Sequence, residues 1–197
     1  DPMNLTQEVR PIVVNNNNFS QGELGKPTLL SLDDARTLFH EFGHGLHGLL
    51  SRVKYPRLSG TSVLRDFVEF PSQVYENWLM QPQILKEFAL HAETGQPMPN
   101  ELIEKILAAQ TFNQGFATVE YVSCALVDLA LHENTDLDNL DFQKFEDQSL
   151  SAIQMPPAIG MRHRLPHFSH LFSSNGYASA YYVYMWAEVL DADRFDA

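Results

Sequence analysis

The chain has 197 residues, 44% of them hydrophobic, which is enough for one sizeable core and a small second subdomain but includes no run apolar enough to cross a membrane. A formal net charge of −12 argues against nucleic acid or an anionic membrane as a partner, because both need a basic surface. The single cysteine, Cys124, excludes an internal disulfide and lies in an apolar run, so we expect a core position and a reducing, cytoplasmic compartment, with the periplasm as the alternative.

The first predicted elements are a strand and two helices. Residues 11–14 (PIVV) are typical of a short strand, and four asparagines that favour turns follow it. Ser31 and Asp34 have the spacing of a capping box before a helix at about residues 33–51. A second helix is expected at about 67–80, where Pro71 indicates an early first turn or a kink.

The rest of the chain is also predicted to be helical. Pro82 and Gly95 bracket one helix, Pro99 opens the next, and the period indicates a long helix over residues 112–133. An acidic surface helix and a proline-containing loop lead to a last helix at about 176–190. The fold class predicted from these patterns is mainly α, with a minor β element.

The motif HEFGH carries the strongest chemical signal. His40 and His44 are four residues apart, so on a helix they lie one turn apart and can bind one ion, with Glu41 at the edge of the same cleft. His47 would stand about 7 Å along the axis from their midpoint, too far to join them. An apolar stripe on the other side of the wheel predicts the core face; it consists of Leu38, Phe39, Phe42, Leu46 and Leu49.

A catalytic zinc site needs a third protein ligand and one open position. Glu69 lies in the apolar segment FVEFP, where a carboxylate without a partner would be costly, and metal coordination would explain it. A capping-box contact with Asp66 explains Glu69 equally well. Structural zinc sites usually close with cysteines, and one cysteine is too few for that, so the pattern favours an enzyme over a non-catalytic helical binding module.

Four segments together resemble the thimet oligopeptidase family of zinc metallopeptidases: HEFGHGLHGLL, LSGTSVLRDFVEFPSQ, FNQGFATVE and HLFSSNGYASAYYVYMWAEV. The second is most similar to the bacterial peptidyl-dipeptidase branch, and the resemblance covers nearly the whole chain. It implies a Zn²⁺ ion held by His40, His44 and Glu69, with Glu41 as the general base.

The resemblance also implies roles for the tyrosine-rich segment near the end of the chain. His170, Tyr177 and Tyr184 would grip substrate and stabilise the transition state, and Tyr181 would contact substrate. By spacing alone, such tyrosines are more often half-buried packing residues. The loop departs from the family, since relatives often have a run of glycines where this chain reads LFSSNG. His163 and His167 are predicted to line or support the cleft.

The resemblance implies that residues 1–197 are a catalytic fragment of a larger, two-lobed peptidase that hydrolyses short peptides and releases C-terminal dipeptides. An endo-acting oligopeptidase of the same family is the nearest alternative. The parent is expected to be a monomer. The fragment is expected to bind zinc, to cleave poorly because one wall of its substrate channel is absent, and to self-associate through exposed apolar surface.

Overall fold

A computed structural model describes residues 10–195 of the chain. These residues form a mainly α-helical fold, which confirms the predicted class. The helices are α1 (Leu32–Leu50), α2 (Arg65–Val68), α3 (Phe70–Leu79), α4 (Pro82–Phe88), α5 (Asn100–Ala109), α6 (Gln114–Glu133), α7 (Phe142–Ala152), α8 (Ser169–Phe172) and α9 (Val183–Phe195). None of the helices in residues 10–195 combines the length and the hydropathy needed to cross a membrane.

The strand predicted at residues 11–14 is wrong. Within residues 10–195 the β pairing is limited to one isolated antiparallel bridge, between Leu90 and Pro97. Ile12 is 92% exposed, and Val13 instead approaches α1, where a Cβ added at Gly48 would lie 3.1 Å from its Cγ2. A short apolar run predicts a strand only if a partner strand is available, and the described residues supply none.

The described residues form two compact units, residues 10–109 with 187–195 and residues 110–186. The first unit has a core at the junction of α3, α4 and α5 that includes Leu79, Leu85 and Ile103. Ala35 and Phe39 of α1 pack against this core. Each large side chain buried there contributes about 1.5–3 kcal/mol to stability. Because α1 and α3 pack against the same core, their relative position is fixed.

The capping box at the start of α1 is confirmed: the Asp34 amide donates to Ser31 Oγ at 3.0 Å, and the Ser31 amide donates to Asp34 Oδ2 at 3.0 Å. The prediction that the whole apolar stripe of α1 is the core face is wrong, because Leu38, Phe42 and Leu49 are 38%, 43% and 40% exposed. The physical reason is that α1 meets α3 through a glycine, a residue to which an apolar count gives no weight.

Two other helix boundaries differ from the sequence prediction. The helix expected between Pro82 and Gly95 ends at Phe88, and Gly95 lies in a turn with φ of +67°. The last helix begins at Val183, since residues 178–182 form consecutive turns in which Ser179 has φ of +59°. Periodicity extends across such turns and therefore overestimates the helix.

The second unit packs α6, α8 and the segment after residue 160 around an apolar core that includes Cys124, Phe168 and Leu171. Cys124 is fully buried, as predicted, and burial raises the pKa of its thiol. Glu146 of α7 is also buried, and its carboxylate accepts from the Leu165 amide at 2.6 Å and pairs with Arg164. This carboxylate ties the proline-containing loop to α7.

Candidate metal centre

The crossing of α1 and α3 brings the two halves of the site together. A Cβ added at Gly43 would lie 2.6 Å from Ser72 Cα and 2.9 Å from Pro71 O, so the two backbones touch there. Glu69 immediately precedes α3 and joins it to α2, with φ of −82° and ψ of −13°. Glycine at residue 43 thus lets the Glu69 carboxylate reach the histidine face of α1. Pro71 lies in the first turn of α3, as predicted.

The three predicted ligands form one group in the first unit. Glu69 Oε2 lies 3.3 Å from His40 Nε2 and 3.2 Å from His44 Nε2. The ligand atoms of all three residues lie within 4.8 Å of one another. The Glu69 side chain is 2% exposed and the two histidines are about one-fifth exposed, so a desolvated carboxylate faces two imidazole nitrogens.

This donor set has the composition, and two of the separations, of a tetrahedral metal site. With metal–ligand bonds of about 2.0–2.1 Å, neighbouring ligands of a tetrahedron are separated by about 3.3 Å. The two nitrogen–oxygen separations, 3.3 and 3.2 Å, match that edge, and the two imidazole nitrogens lie within 4.8 Å of each other. Two imidazoles and one carboxylate are also the ligands found in catalytic sites that retain an open position. The alternative of a capping box between Asp66 and Glu69 is not favoured, since Asp66 lies inside α2, whose N-cap is Leu64 and has no side-chain cap.

Glu76, on α3, holds the first histidine in place. Its Oε1 lies 2.6 Å from His40 Nδ1, so we assign one proton to Nδ1, and Nε2 is the atom that faces the ligand group. Burial alone would lower the pKa of His40, but hydrogen bonds to Glu69 and Glu76, and their charges, raise it to about 9. Sequence analysis did not predict this contact; the spacing of seven residues between Glu69 and Glu76 is the signal that could have placed both carboxylates on one helix face.

A further carboxylate lies behind Glu76. Asp191 of α9 is 8% exposed and accepts a short hydrogen bond from the Asn77 side chain. Burial raises the pKa of Asp191 to about 6; the Asn77 hydrogen bond opposes this shift, and the charges of Glu76 and Glu188 add to it. This region of the first unit therefore concentrates negative charge next to the group that could hold a cation.

Glu41 and His47 are the other two residues of α1 that sequence analysis considered for the site. Glu41 is half-buried on α1, beside His40. The His47 ring packs edge-on against Phe67 with centroids 6.2 Å apart. Burial lowers the pKa of His47, and the nearby His44 lowers it further.

Within the second unit, the four predicted site residues near the end of the chain form one aromatic cluster. The His170 ring lies 5.7 Å from Tyr177, 5.5 Å from Tyr181 and 6.2 Å from Tyr184, centroid to centroid. Tyr177 and Tyr184 stack in parallel at 5.8 Å and are half-buried. Tyr181 is 4% exposed, and burial raises its pKa to about 12, so its side chain belongs to the core and offers little surface to a substrate.

Two further histidines precede this cluster. His163 is half-buried and stacks on Phe168 at 5.0 Å, with His170 at 5.6 Å. Burial lowers the pKa of His163, and the positive charges of His170 and Arg162 lower it further. His167 ends a short 3-10 turn and is exposed. Of the two, His163 supports the aromatic cluster.

Comparison with known proteins agrees with these features. The sequence pattern of Peptidase family M3 matches residues 4–197. The chain belongs to this family. The resemblance noted from the four sequence segments is thereby confirmed, and so is the relation to the peptidyl-dipeptidase branch, since a dipeptidyl carboxypeptidase is among the most similar relatives.

Three relatives illustrate the extent of the similarity. Dipeptidyl carboxypeptidase of Escherichia coli (strain K12) is 43% identical over 192 residues, which is 95% of this chain and 28% of the relative. Oligopeptidase A of the same organism is 41% identical over 191 residues, covering 94% of this chain and 28% of the relative. Organellar oligopeptidase A of Arabidopsis thaliana is 39% identical over 174 residues, covering 87% and 22%. The M3 chain thus spans little more than a quarter of the two bacterial relatives.

Proposed function

We propose that this chain carries the zinc-binding catalytic segment of a metallopeptidase that hydrolyses short peptides and releases dipeptides from a free C-terminus. The observation that supports this most strongly is the group of His40, His44 and Glu69, whose nitrogen–oxygen separations of 3.3 and 3.2 Å fit a tetrahedral ion. Membership of Peptidase family M3 supports the same function.

The chemistry requires one metal ion and one base. When bound, zinc supplies Lewis acidity that polarises the scissile carbonyl and lowers the pKa of a water molecule toward about 7. Glu41 then accepts the proton of the attacking water and transfers it to the leaving amine. Glu76 keeps the Nδ1 proton of His40 in place, so that Nε2 remains available as a ligand.

The aromatic cluster supplies the second part of the proposal, on the basis of the family resemblance. The phenols of Tyr177 and Tyr184 and the imidazole of His170 donate hydrogen bonds to the oxyanion of the transition state and to the substrate. Removing one donor of this kind typically costs a factor of about 10²–10³ in kcat. Because Tyr181 is buried, the substrate contact implied by the resemblance is better assigned to its half-buried neighbours.

Release of dipeptides is the finer part of the proposal, and an endo-acting oligopeptidase is the competing function within the family. The names of the similar proteins include both a dipeptidyl carboxypeptidase and oligopeptidases A, at 43% and 41% identity. Mass spectrometry of the products separates the two. An exo-acting enzyme cuts a peptide with a free C-terminus two residues from its end and leaves the C-terminally amidated form intact, whereas internal cuts in both forms indicate the oligopeptidase.

The decisive experiment combines metal analysis with cleavage of a short peptide by the full-length protein. Glu41→Gln should retain one zinc per chain and lose nearly all hydrolysis, because the amide preserves shape but cannot accept a proton. Glu87→Gln on the exposed face of α4 is the matched control and should cleave normally. Hydrolysis by Glu41→Gln at the wild-type rate would refute the assignment of Glu41 as the base. Full activity in zinc-free protein would refute the assignment of a metallopeptidase.

For the compartment and the assembly we propose a monomeric cytoplasmic protein that acts on peptides. The lone, buried Cys124, which makes no disulfide, supports the compartment only. Cell fractionation and light scattering test these two statements, and recovery of the protein in the periplasmic fraction would overturn the first.

A further inference from the structure

We propose that Asp128, a buried carboxylate of α6, is a positioning residue that holds the backbone of the segment carrying Tyr177 and Tyr184. No role in substrate or metal binding is assigned to it; it acts through the turn between the two tyrosines. The inference rests on the proposed function for its catalytic consequence, and on the contacts of the second unit for its structural basis.

The Asp128 carboxylate is fully buried, and both of its oxygens are used by the tyrosine segment. Oδ1 accepts from the Ser179 amide at 2.9 Å, and Oδ2 accepts from the Tyr181 amide at 3.0 Å. His132, one turn further along α6, places Nδ1 at 2.8 Å from Oδ1. Three donors therefore surround this carboxylate, which removes the cost of burying it and fixes two amides that lie two residues apart.

A second residue of α6, Tyr121, holds the same segment through a backbone carbonyl. The hydroxyl of Tyr121 donates a short hydrogen bond to the carbonyl of Tyr181, and its ring packs on the Tyr181 ring with centroids 5.3 Å apart. Residues 121 and 128 are seven positions apart, so they share one face of the helix. Tyr181 is thus held through its amide by Asp128 and through its carbonyl by Tyr121.

The turn held by Asp128 and Tyr121 contains an unfavourable backbone conformation. Ser179 has φ of +59°, a region that side-chain-bearing residues rarely adopt, and its amide is one of the two bound to Asp128. The turn also contains a hydrogen bond from the Ala180 amide to the Tyr177 carbonyl at 2.9 Å. Because Tyr177 begins this turn and Tyr184 follows it, the stacking of the two rings depends on the shape of the turn.

An isosteric change tests the carboxylate. In Asp128→Asn one oxygen becomes an NH₂ group, so one of the two amides would face a donor instead of an acceptor. Hydrogen exchange followed by mass spectrometry on the chain should show amide exchange at residues 179–181 at least 10-fold faster than in the wild type. Glu146→Gln is the matched control, a buried carboxylate whose acceptor contacts are made elsewhere, and it should accelerate exchange near Leu165 instead.

Tyr121→Phe keeps the ring and removes the hydroxyl, which gives a milder variant in case Asp128→Asn does not fold. It should accelerate exchange in the same segment by a smaller factor. Unchanged exchange at residues 179–181 in the folded variants would overturn the anchoring role.

A double-mutant cycle on the full-length protein tests the catalytic consequence. Asp128→Asn should lower kcat at least 10-fold with KM changed less than threefold and zinc content unchanged, since the phenols act in the transition state. In a background with Tyr177→Phe and Tyr184→Phe, Asp128→Asn should lower kcat less than threefold further. A merely structural role predicts the same loss in both backgrounds.

The outcomes separate this inference from the proposed function. Wild-type kcat in Asp128→Asn, with a large loss in the double phenylalanine variant, refutes the positioning role alone. An equal loss from Asp128→Asn in both backgrounds also refutes it, because the residue would not act through the phenols. Wild-type kcat in the double phenylalanine variant refutes the role of the phenols in the proposed function and removes the catalytic consequence of Asp128, while hydrogen exchange still decides the anchor.

Discussion

Replacement of Gly43 by alanine tests whether the metal centre depends on close contact between α1 and α3. The added Cβ would lie 2.6 Å from Ser72 Cα, 2.9 Å from Pro71 O and 3.0 Å from Tyr75 Cβ. Carbon atoms in ordinary contact are about 3.5–4.0 Å apart, so the two helices must separate by about 1 Å. Two of the atoms met belong to the backbone and cannot move aside by changing rotamer.

Two effects of opposite sign determine the magnitude. Alanine in place of glycine inside a helix stabilises by about 1 kcal/mol. Overpacking of a tight contact costs about 1–3 kcal/mol and sometimes more, and here it involves backbone. We therefore expect a net destabilisation of up to about 2 kcal/mol. The effect on the metal should be larger, because a displacement of about 1 Å at Glu69 exceeds the tolerance of about 0.2 Å in metal–ligand distances. Zinc affinity should fall at least 10-fold.

The assay is thermal unfolding of the chain with and without zinc, together with a competition titration of zinc affinity. Gly115→Ala is the matched control, because a Cβ at that exposed position of α6 meets no atom within 4 Å. It should be as stable as the wild type or more so and should bind zinc equally well. A Gly43→Ala protein that matches the control in both measurements would show that the helix contact does not set the ligand geometry.

Three further predictions follow from the contacts of individual side chains. Glu76→Gln should weaken zinc binding about 10- to 100-fold, because an amide no longer holds the Nδ1 proton of His40 in place. The control Glu188→Gln removes a similar charge without that contact and should bind zinc normally. Equal affinities in the two variants would refute the role of Glu76. Asp191→Asn should stabilise the protein by about 1–3 kcal/mol at pH 8 and much less at pH 4. The pKa of Asp191 is raised to about 6, so the cost of ionising the buried carboxyl appears as the pH rises from about 4 through 6. A gain in stability that is the same at both pH values would contradict this cause. Tyr181→Phe should change KM less than threefold, because the side chain is 4% exposed, and a larger rise in KM would support the substrate contact that the resemblance implies.

The features that sequence analysis predicted correctly depend on residues close together in the chain. Ser31 and Asp34 define the start of α1, and the spacing of His40 and His44 puts both imidazoles on one helix face. Glu69 is 25 residues beyond His44. Its place beside the histidines depends on how α1 and α3 cross, which residue spacing in the sequence does not predict. The family resemblance supplied that assignment.

The features that sequence analysis missed are set by tertiary contacts. The exposed side of α1 was predicted to be core because Leu38 and Phe42 are apolar, while the closest approach to α3 is at Gly43. Asp128 left only a weak signal, a carboxylate within an apolar helix with a histidine four residues later. Its partners are the amides of Ser179 and Tyr181, more than fifty residues away, and backbone amides carry no sequence signature.

X-ray absorption at the zinc K-edge, measured on the zinc-loaded chain and on His44→Ala, tests most directly the claim that this chain builds a zinc site from His40, His44 and Glu69. The account predicts two histidine nitrogens and a carboxylate oxygen at about 2.0–2.2 Å in the wild type, and the loss of one histidine contribution and most of the bound zinc in the variant. Full zinc occupancy with an unchanged histidine count in His44→Ala, or a sulfur ligand at about 2.3 Å, would contradict it.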